Sequence, residues 1–303
     1  MKKNSDIKEI IPIFVIGKNR SGTKWLSNIL SKSDEIVSLQ REEDHGINET
    51  NIFYQFPKIF GDLNNYNNYI PFIESFAQTN IFKLTGLDKQ FLYTISEKDY
   101  NKIFKSVMNQ YALSKGKKIW LQKSNTNILK DAISNFQNAF IIFIERNLED
   151  NIRSSIGLQF KNGFQKKNIF KNVFIYILEQ KRIKKFRKTN KTHNIVCIKY
   201  EEIVSDSPTV LKNLCDKFNI QYQKKMLDNI YGKNSSFSNK KDKKKILNNM
   251  DILYIHFLYN MLKLFPYNFF EYVFEKFSRK QSRIKFVNKT FEMRYKEILK
   301  FKK

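Results

Sequence analysis

Short apolar runs alternate with longer amphipathic segments through the first two thirds of the chain. The first run, 11–16, leads into a polar loop bounded by Gly17 and Gly22, and the apolar residues after this loop recur at helical spacing. This order predicts a strand, a tight loop and a helix. Several backbone N–H groups and the positive end of a helix dipole then point at one place, which attracts an anion such as a phosphate.

Further apolar runs predict strands, and the segments between them predict helices. The predicted strands lie at 33–39, 117–124, 139–145 and 194–200. The predicted helical segments lie at 125–135, from 147 onwards, at 161–189 and at 209–218, with Phe164 expected on the apolar stripe of the third. Strands that alternate with helices in this way predict an α/β fold, with a central, mostly parallel sheet and helices on both faces.

The same pattern predicts how the chain is divided. We expect a main domain at 1–245 and a helical, basic C-terminal extension at 246–303 that packs on the same domain. Within the main domain, 46–112 is rich in Phe, Tyr and Asn and is predicted to be an insert of helices and loops.

The charge of the chain narrows the class of partner. Its 303 residues include 55 Lys and Arg against 29 Asp and Glu, a net charge of +26 with a pI of about 9.8. Such a balance favours an anionic partner: a nucleotide, a sulfated or phosphorylated glycan, or an anionic membrane face. The aromatic residues lie within apolar runs and do not alternate with basic residues, so no nucleic acid partner is expected.

Cysteine usage and hydropathy indicate the compartment. Cys197 and Cys215 lie in apolar contexts and are expected to be buried free thiols, without the Cys and His spacing of a metal site. No run of about 18 apolar residues occurs, and the apolar run near the N-terminus is interpreted as the first strand rather than a signal peptide. We therefore expect a cytoplasmic protein that needs no metal, in peripheral contact with the anionic inner face of the membrane through its basic C-terminal helices.

The residue order in the loop distinguishes two classes of phosphate-binding protein. A nucleoside-triphosphate loop has the pattern G-x-x-x-x-G-K-[ST], in which Lys contacts the phosphates and Ser or Thr holds magnesium. Here Gly17 and Gly22 have that separation, but Thr23 precedes Lys24, and Arg20 lies inside the loop. The reversed order is unsuited to a magnesium-dependent kinase.

Other charged and polar residues directly follow or end predicted strands. They are Lys123, Arg146 and Tyr200, together with a dense group of titratable residues at 41–45. Because ligands bind beyond the carboxyl ends of the strands in open α/β sheets, we expect these side chains to meet the glycine-bounded loop at one edge.

The loop pattern G-x-x-R-S-G-T-x-W-L resembles the 5′-phosphosulfate loop of the sulfotransferases that use 3′-phosphoadenosine-5′-phosphosulfate (PAPS). Two further segments extend the resemblance over about residues 11–220. The segment AFIIFIERNLEDNIRSSIG carries Arg146 and, eight residues later, Ser154, while IKYEEIVSDSP carries Tyr200. Asn147-Leu148 stands where the family usually has Asp-Pro. The resemblance points to the bacterial and Golgi carbohydrate-type members.

The resemblance implies a role for each matching residue. It implies that the loop holds the 5′ end of PAPS, that Arg146 and Ser154 hold its 3′-phosphate, and that Tyr200 lies beside its adenosine half. The loop residues implied in cofactor binding are Arg20, Ser21, Gly22, Thr23, Lys24 and Trp25.

The reaction implied by the resemblance is the transfer of a sulfuryl group from PAPS to a hydroxyl or amine, which leaves the product PAP. Carbohydrate-type members use a Glu about nineteen residues after the loop Thr as the base, which corresponds here to Glu42, followed by Glu43 and then His45 as alternatives. Lys123 and Arg20 complete the predicted catalytic set. We expect the acceptor to be a glycan or a lipid-linked glycan, bound by the insert at 46–112.

Two other classes of function stay open at this point. One is a P-loop kinase for a small molecule or nucleotide, which would bind ATP with magnesium. The other is a basic, non-enzymatic protein that binds membrane or nucleic acid through its charge.

Overall fold

A five-stranded parallel sheet forms the centre of the protein. The computed structural model describes residues 9–41, 46–47, 52–53, 56–130, 133–161, 163–190, 194–228 and 246–282. The strands in chain order are β1 (Ile11–Gly17), β2 (Ile36–Ser38), β3 (Gln40–Arg41), β4 (Gly46–Ile47), β5 (Ile119–Ser124), β6 (Phe140–Glu145) and β7 (Asn194–Lys199). The central sheet has the order β2–β5–β1–β6–β7, and all its neighbouring strands are parallel. β3 and β4 form a separate antiparallel pair.

Helices separate most strands of the central sheet, and the insert between β4 and β5 contributes five of them among the described residues. In chain order, the helices are α1 (Thr23–Leu30), α2 (Phe56–Phe60), α3 (Tyr66–Ala77), α4 (Asn80–Thr85), α5 (Gln90–Thr94), α6 (Tyr100–Ser114), α7 (Leu148–Lys161), α8 (Ile169–Thr189), α9 (Tyr200–Ser205), α10 (Ser207–Lys217), α11 (Asn249–Leu262) and α12 (Tyr267–Ser282). Short 3₁₀ helices lie at Thr126–Leu129, Ile133–Asn135 and Lys224–Leu227.

Helices cover both faces of the sheet, which confirms the predicted α/β fold. Successive strand residues point to opposite faces. Phe14 of β1 and Trp120 of β5 pack with α3, α4, α6 and the end of α8 on one face. Ile13 and Val15 pack with α1, α9 and α10 on the other. Both faces are apolar, so the strands are continuous hydrophobic runs, as is typical of buried parallel strands.

The C-terminal helices pack on the helical layer next to the sheet. Ile255 and Leu258 of α11, together with Phe270 of α12, belong to one apolar cluster with residues of α7 and α8. A buried ion pair joins the same layers, because Arg182 of α8 donates to both carboxylate oxygens of Glu271 in α12 at 2.5 and 3.0 Å.

The Glu271 carboxylate is the centre of that polar cluster. Lys130 Nζ lies 2.5 Å from its Oε2, and the hydroxyl of Tyr267 donates to its Oε1 at 2.7 Å. Burial alone raises the pKa of the Glu271 carboxyl, but the hydrogen bonds from Arg182 and Lys130 outweigh this effect and lower the pKa to about 2. Arg182 also donates to Asn127 Oδ1 at 2.6 Å, so its guanidinium is well satisfied.

Three details differ from the sequence-based expectations. The helix expected at 125–135 is wrong: two short 3₁₀ helices stand there, with Asn125 capping the first. The helix expected over 161–189 begins only at Ile169, and Phe164 lies before it with 63% of its surface exposed. Cys197 was expected to be buried but is exposed on the edge strand β7, whereas Cys215 is buried as expected.

Cys197 lies on β7, which ends the sheet order and pairs with β6 alone among the described strands, and this edge position is consistent with the exposure of its side chain. Within the ranges given above, no helix combines the length and the apolar character needed to span a bilayer.

Candidate active site

The carboxyl ends of four adjacent strands bring the predicted residues to one edge of the sheet. In the register of the sheet, Ile16 lies beside Ser124, Gly17 beside Ile144, and Glu145 beside Lys199. The loop after β1 therefore lies between the end of β5, which carries half-buried Lys123, and the end of β6, which leads into Arg146. Tyr200 follows β7 on the next strand.

The loop between β1 and α1 has a backbone that requires its glycine. Gly22 has a φ of 97°, and a Cβ built on it would lie 2.4 Å from Cδ2 of the Tyr200 ring. Any other residue there would both strain the backbone and collide with that ring. Arg20 also has a left-handed φ, 69°. Because the N-cap of α1 is Gly22, no side chain caps the start of this helix.

Two residues that the sequence analysis did not select hold the loop in place. Asn151 of α7 donates its Nδ2 to the backbone oxygen of Asn19 at 2.8 Å and to Ser21 Oγ at 3.2 Å. Glu179 of α8 accepts from the backbone N–H of Asn19 at 3.2 Å. Asn151 lies one turn before Ser154 on the same helix, a spacing that signals a shared face. Nothing local in the sequence indicates Glu179.

Two arginines and one serine converge above the loop. Arg146 Nη1 donates to the backbone oxygen of Arg20 at 3.1 Å, and Arg20 Nε donates to Ser154 Oγ at 3.1 Å. Burial lowers the pKa of the Arg20 guanidinium, and the positive charge of Arg146 lowers it further. Among the described residues, neither arginine forms an ion pair with a carboxylate. Two neighbouring cations without a counterion form a site for an anion.

Arg146 is held from two sides by aromatic residues. Its guanidinium carbon lies 4.4 Å from the ring centroid of Tyr200, and its backbone oxygen accepts from the Tyr176 hydroxyl at 3.0 Å. The Trp25 ring meets the Tyr200 ring edge-on at 6.0 Å. Arg146 is only 8% exposed, and its Nε is buried without a hydrogen-bond partner. A buried donor of this kind needs a ligand or water to satisfy it.

Lys18 is the third buried cation of this region, and the sequence analysis did not select it. It is fully buried, its Nζ has no hydrogen-bond partner, and this atom lies 3.5 Å from the ring centroid of Tyr176. Burial lowers the pKa of Lys18 to about 8, although the charges of Glu145, Glu179 and Glu201 oppose the shift. The ring of Tyr176 thus faces Lys18 while its hydroxyl holds Arg146.

The remaining predicted residues lie partly within and partly outside the described part of the chain. Thr23 and exposed Lys24 begin α1 beside the loop. Glu42, Glu43 and His45, the candidates for the base, lie outside the described residues. His256 of α11 hydrogen-bonds Glu149 of α7 at 2.8 Å. Across the described part of the chain, no group of three His, Cys, Asp or Glu side chains is arranged to hold a metal ion.

The comparisons with known proteins identify a family by sequence. A family model described as "Sulfotransferase family" matches residues 12–224, which include the loop, Lys123, Arg146, Ser154 and Tyr200. None of the curated protein sequences compared with the chain matches it.

Solved structures of similar architecture were also found. The sulfotransferase domain from the curacin biosynthetic pathway is 18% identical, covers 74% of this chain and 78% of that one, and has a TM-score of 0.49. The sulfotransferase domain from the Synechococcus PCC 7002 olefin synthase is 15% identical, with 75% and 79% coverage and a TM-score of 0.49. Mouse sulfotransferase SULT7A1, solved in complex with PAP, is 14% identical, with 73% and 62% coverage and a TM-score of 0.40. Values this low carry no argument about function, so the assignment rests on the family model.

Proposed function

Because this chain belongs to the sulfotransferase family, we propose that its loop at 17–25 and the residues around Arg146 hold opposite ends of one PAPS molecule. The family model spans more than two thirds of the chain, and this membership confirms the predicted PAPS-dependent sulfotransferase activity. The roles of individual residues, the base and the acceptor are parts of the proposal.

The observation that carries the proposal is the meeting of Arg20 and Arg146 without a carboxylate between them. Arg146 Nη1 donates to the backbone oxygen of Arg20, and the Arg20 side chain donates from Nε to Ser154 Oγ, each at 3.1 Å. A doubly phosphorylated nucleotide supplies the missing negative charge and an acceptor for Arg146 Nε. The planar guanidinium groups suit phosphate oxygens because they donate in a fork.

The proposed contacts divide between two anionic groups. Arg146 and Ser154 hold the 3′-phosphate, and Tyr200 with Trp25 lies against the adenosine half. Arg20, Lys24 and the backbone N–H groups at the start of α1 hold the 5′ end. The helix dipole adds about half a positive charge at this point. Ser21 and Thr23 complete the loop, and Gly22 allows its close approach to the ligand.

PAPS supplies a sulfuryl group bonded to the 5′-phosphate oxygen. In the proposed reaction an acceptor oxygen or nitrogen forms a bond to sulfur, the bond from sulfur to the phosphate oxygen breaks, and PAP leaves with the bonding electron pair. Arg20 and Lys24 neutralise the charge that moves onto the leaving phosphate. Lys123, at the end of the strand beside β1, is proposed to contact the sulfuryl or bridging oxygen.

A base takes the proton of the acceptor. We propose Glu42 for this role, with Glu43 and then His45 as the next choices, on the spacing from Thr23 that carbohydrate-type members show. The acceptor is proposed to be a hydroxyl or amine of a glycan or lipid-linked glycan, bound by the insert at 46–112 of the main domain at 1–245. The proposed location is the cytoplasm at the inner face of the membrane.

The test of the base compares two neighbouring carboxylates. Glu42→Gln should lower turnover by about 10²–10⁴-fold, since that is the usual contribution of a positioned base. The melting-temperature shift caused by PAP should persist, because the nucleotide is held by other residues. Turnover is measured as transfer of labelled sulfate to a glycan extract. Glu43→Gln is the matched control, and a large loss only in that control would move the role to Glu43.

A further inference from the structure

The outward side of α11 carries an apolar stripe that no described residue covers. Its members recur at helical spacing and are 41–79% exposed: Met250, Leu253, Tyr254, Phe257, Met261 and Leu264, the last just beyond the helix. The opposite side of the same helix is also apolar, and Ile255 and Leu258 are buried there against α8. A helix that is apolar on both sides is normally enclosed on both sides.

The stripe is too large to be a scatter of single surface residues. α11 has 14 residues and is therefore about 21 Å long. Phe265 and Phe269 extend the apolar surface onto α12, with their rings stacked at 4.8 Å and each about 40% exposed. Contiguous exposed apolar surface of this kind marks an interaction site with another molecule or with a membrane.

The charges around this outer stripe of α11 indicate which partner it meets. The acidic residues of α11 and α12 are Asp251, Glu271 and Glu275, and each already lies in an ion pair with a Lys or Arg. Lys263 follows Met261 at the end of the stripe, and Lys276 lies on α12 with its Nζ 5.8 Å from the Tyr272 ring. Within the described residues neither lysine forms an ion pair. The uncompensated charge that the described residues show on these two helices is therefore positive.

The segments of sequence that flank the two helices also carry a net positive charge. Residues 233–245, shortly before α11, contain six lysines and one aspartate, and residues 283–303, directly after α12, contain eight Lys and Arg and two glutamates. Clusters of this size beside an amphipathic segment are typical of chains that bind anionic lipid headgroups. A second copy of the chain fits less well, since each copy carries a net charge of +26 and the copies repel each other.

We propose that the outer stripe of α11 is a docking surface for a bilayer of anionic phospholipid. The apolar side chains enter the interface between headgroups and acyl chains, while Lys263 and Lys276 contact the headgroups. The inference deepens the proposed function, because His256 of the same helix is hydrogen-bonded to Glu149 in the first turn of α7, the helix that carries Ser154. Docking thus brings the bilayer to the side of the nucleotide site.

The experiment measures binding of the full chain to vesicles by flotation. One set of vesicles contains equal amounts of phosphatidylglycerol and phosphatidylcholine, and the other contains phosphatidylcholine alone. The test variant carries Leu253→Ser and Phe257→Ser. The matched control carries Leu113→Ser and Phe170→Ser, which also replace exposed apolar residues, on α6 and α8. The PAP-induced melting shift is recorded for all three proteins.

The wild type and the control should bind the anionic vesicles, and the test variant should bind them at least about tenfold more weakly, because two large apolar side chains no longer enter the interface. Binding to neutral vesicles should be weaker for all three. Equal binding of test variant and wild type, or no binding by the wild type, overturns the inference. A dimer that only the test variant loses, without vesicle binding, overturns it in favour of a second copy. The PAP shift reports the nucleotide site separately, so failure of one proposal is distinct from failure of the other.

Discussion

Two buried arginines of this protein, Arg182 and Arg146, have opposite surroundings. Arg182 is 4% exposed and meets both oxygens of Glu271, with Asn127 as a further partner. Arg146 is 8% exposed, lies against the Tyr200 ring, and has one backbone oxygen as acceptor and an unpartnered Nε. A buried cation with its counterion built into the fold holds helices together, whereas Arg146 has no carboxylate partner among the described residues, and we propose that a ligand supplies the negative charge.

The largest expected effect comes from removing Arg182, which tests whether its ion pair with Glu271 stabilises the fold. Arg182→Ala leaves the Glu271 carboxylate buried with fewer partners, so the free energy of unfolding should fall by about 3–5 kcal/mol. Urea denaturation followed by circular dichroism measures this loss. Lys89→Ala is the matched control, since its ion pair with Glu74 is exposed and should contribute less than about 1 kcal/mol. Similar losses in the two variants would contradict a structural role for the buried pair.

Removing Arg146 should affect ligand binding and leave the fold intact. Arg146→Ala should weaken PAP by about 2–4 kcal/mol, because the 3′-phosphate loses a buried, charged donor. Adenosine 5′-phosphosulfate, which lacks this phosphate, should lose much less affinity. Titration calorimetry with both nucleotides checks the difference. Equal losses for the two ligands would falsify the assignment of Arg146 to the 3′-phosphate, and the unfolding free energy should change little.

Lys18 is intermediate between the two arginines. It is a buried cation near three carboxylates, but its Nζ is not hydrogen-bonded to any of them. Its pKa is lowered from 10.5 to about 8 in the folded protein by burial. Below about pH 8 both the folded and unfolded states carry the proton, and the full cost of burying the charge is present. Between pH 8 and 10.5 only the unfolded state keeps the proton on Lys18. The free energy of unfolding should therefore rise with pH in that window.

Lys18→Met should therefore be more stable than the wild type near pH 7, by up to about 3 kcal/mol, and the difference should shrink as the pH rises. Denaturant midpoints of both proteins across this pH range give the measurement. A constant difference at every pH would show that Lys18 titrates normally. Titratable groups remote from Lys18 act equally in both proteins and cancel in the comparison.

Much of the site follows from sequence spacing, because parallel strands end at one edge. Lys123, Arg146 and Tyr200 each end or directly follow a strand. In a parallel sheet, such residues lie at the same edge as the loop after β1, so the sequence could predict that they lie near this loop. The sequence predicted a tight loop bounded by Gly17 and Gly22, but only the structure shows that Gly22 has a φ of 97° and lies against Tyr200. The division into 1–245 and 246–303 and the base at Glu42 stay predictions.

Other features had no sequence signal. The sequence assigned Arg20 and Ser154 to opposite ends of the nucleotide, yet their side chains are hydrogen-bonded across a separation of 134 residues. Apolar residues recur at helical spacing in the segment 125–135, but 3₁₀ helices form at Thr126–Leu129 and Ile133–Asn135, a difference that nothing in the sequence indicates. Glu179, which holds the backbone of Asn19, lies 160 residues from it.

By itself, the sequence determined the alternation of strands and helices, the place of the glycine-bounded loop and the family of the protein, since these depend on local periodicity and on residues close together in the chain. Only the tertiary structure decided which buried cations receive a carboxylate. Arg182 meets Glu271, whereas Arg146 forms no ion pair within the described residues and its Nε has no hydrogen-bond partner. Packing of distant helices sets these distances, and a charge buried in protein depends on its neighbours within a few ångströms.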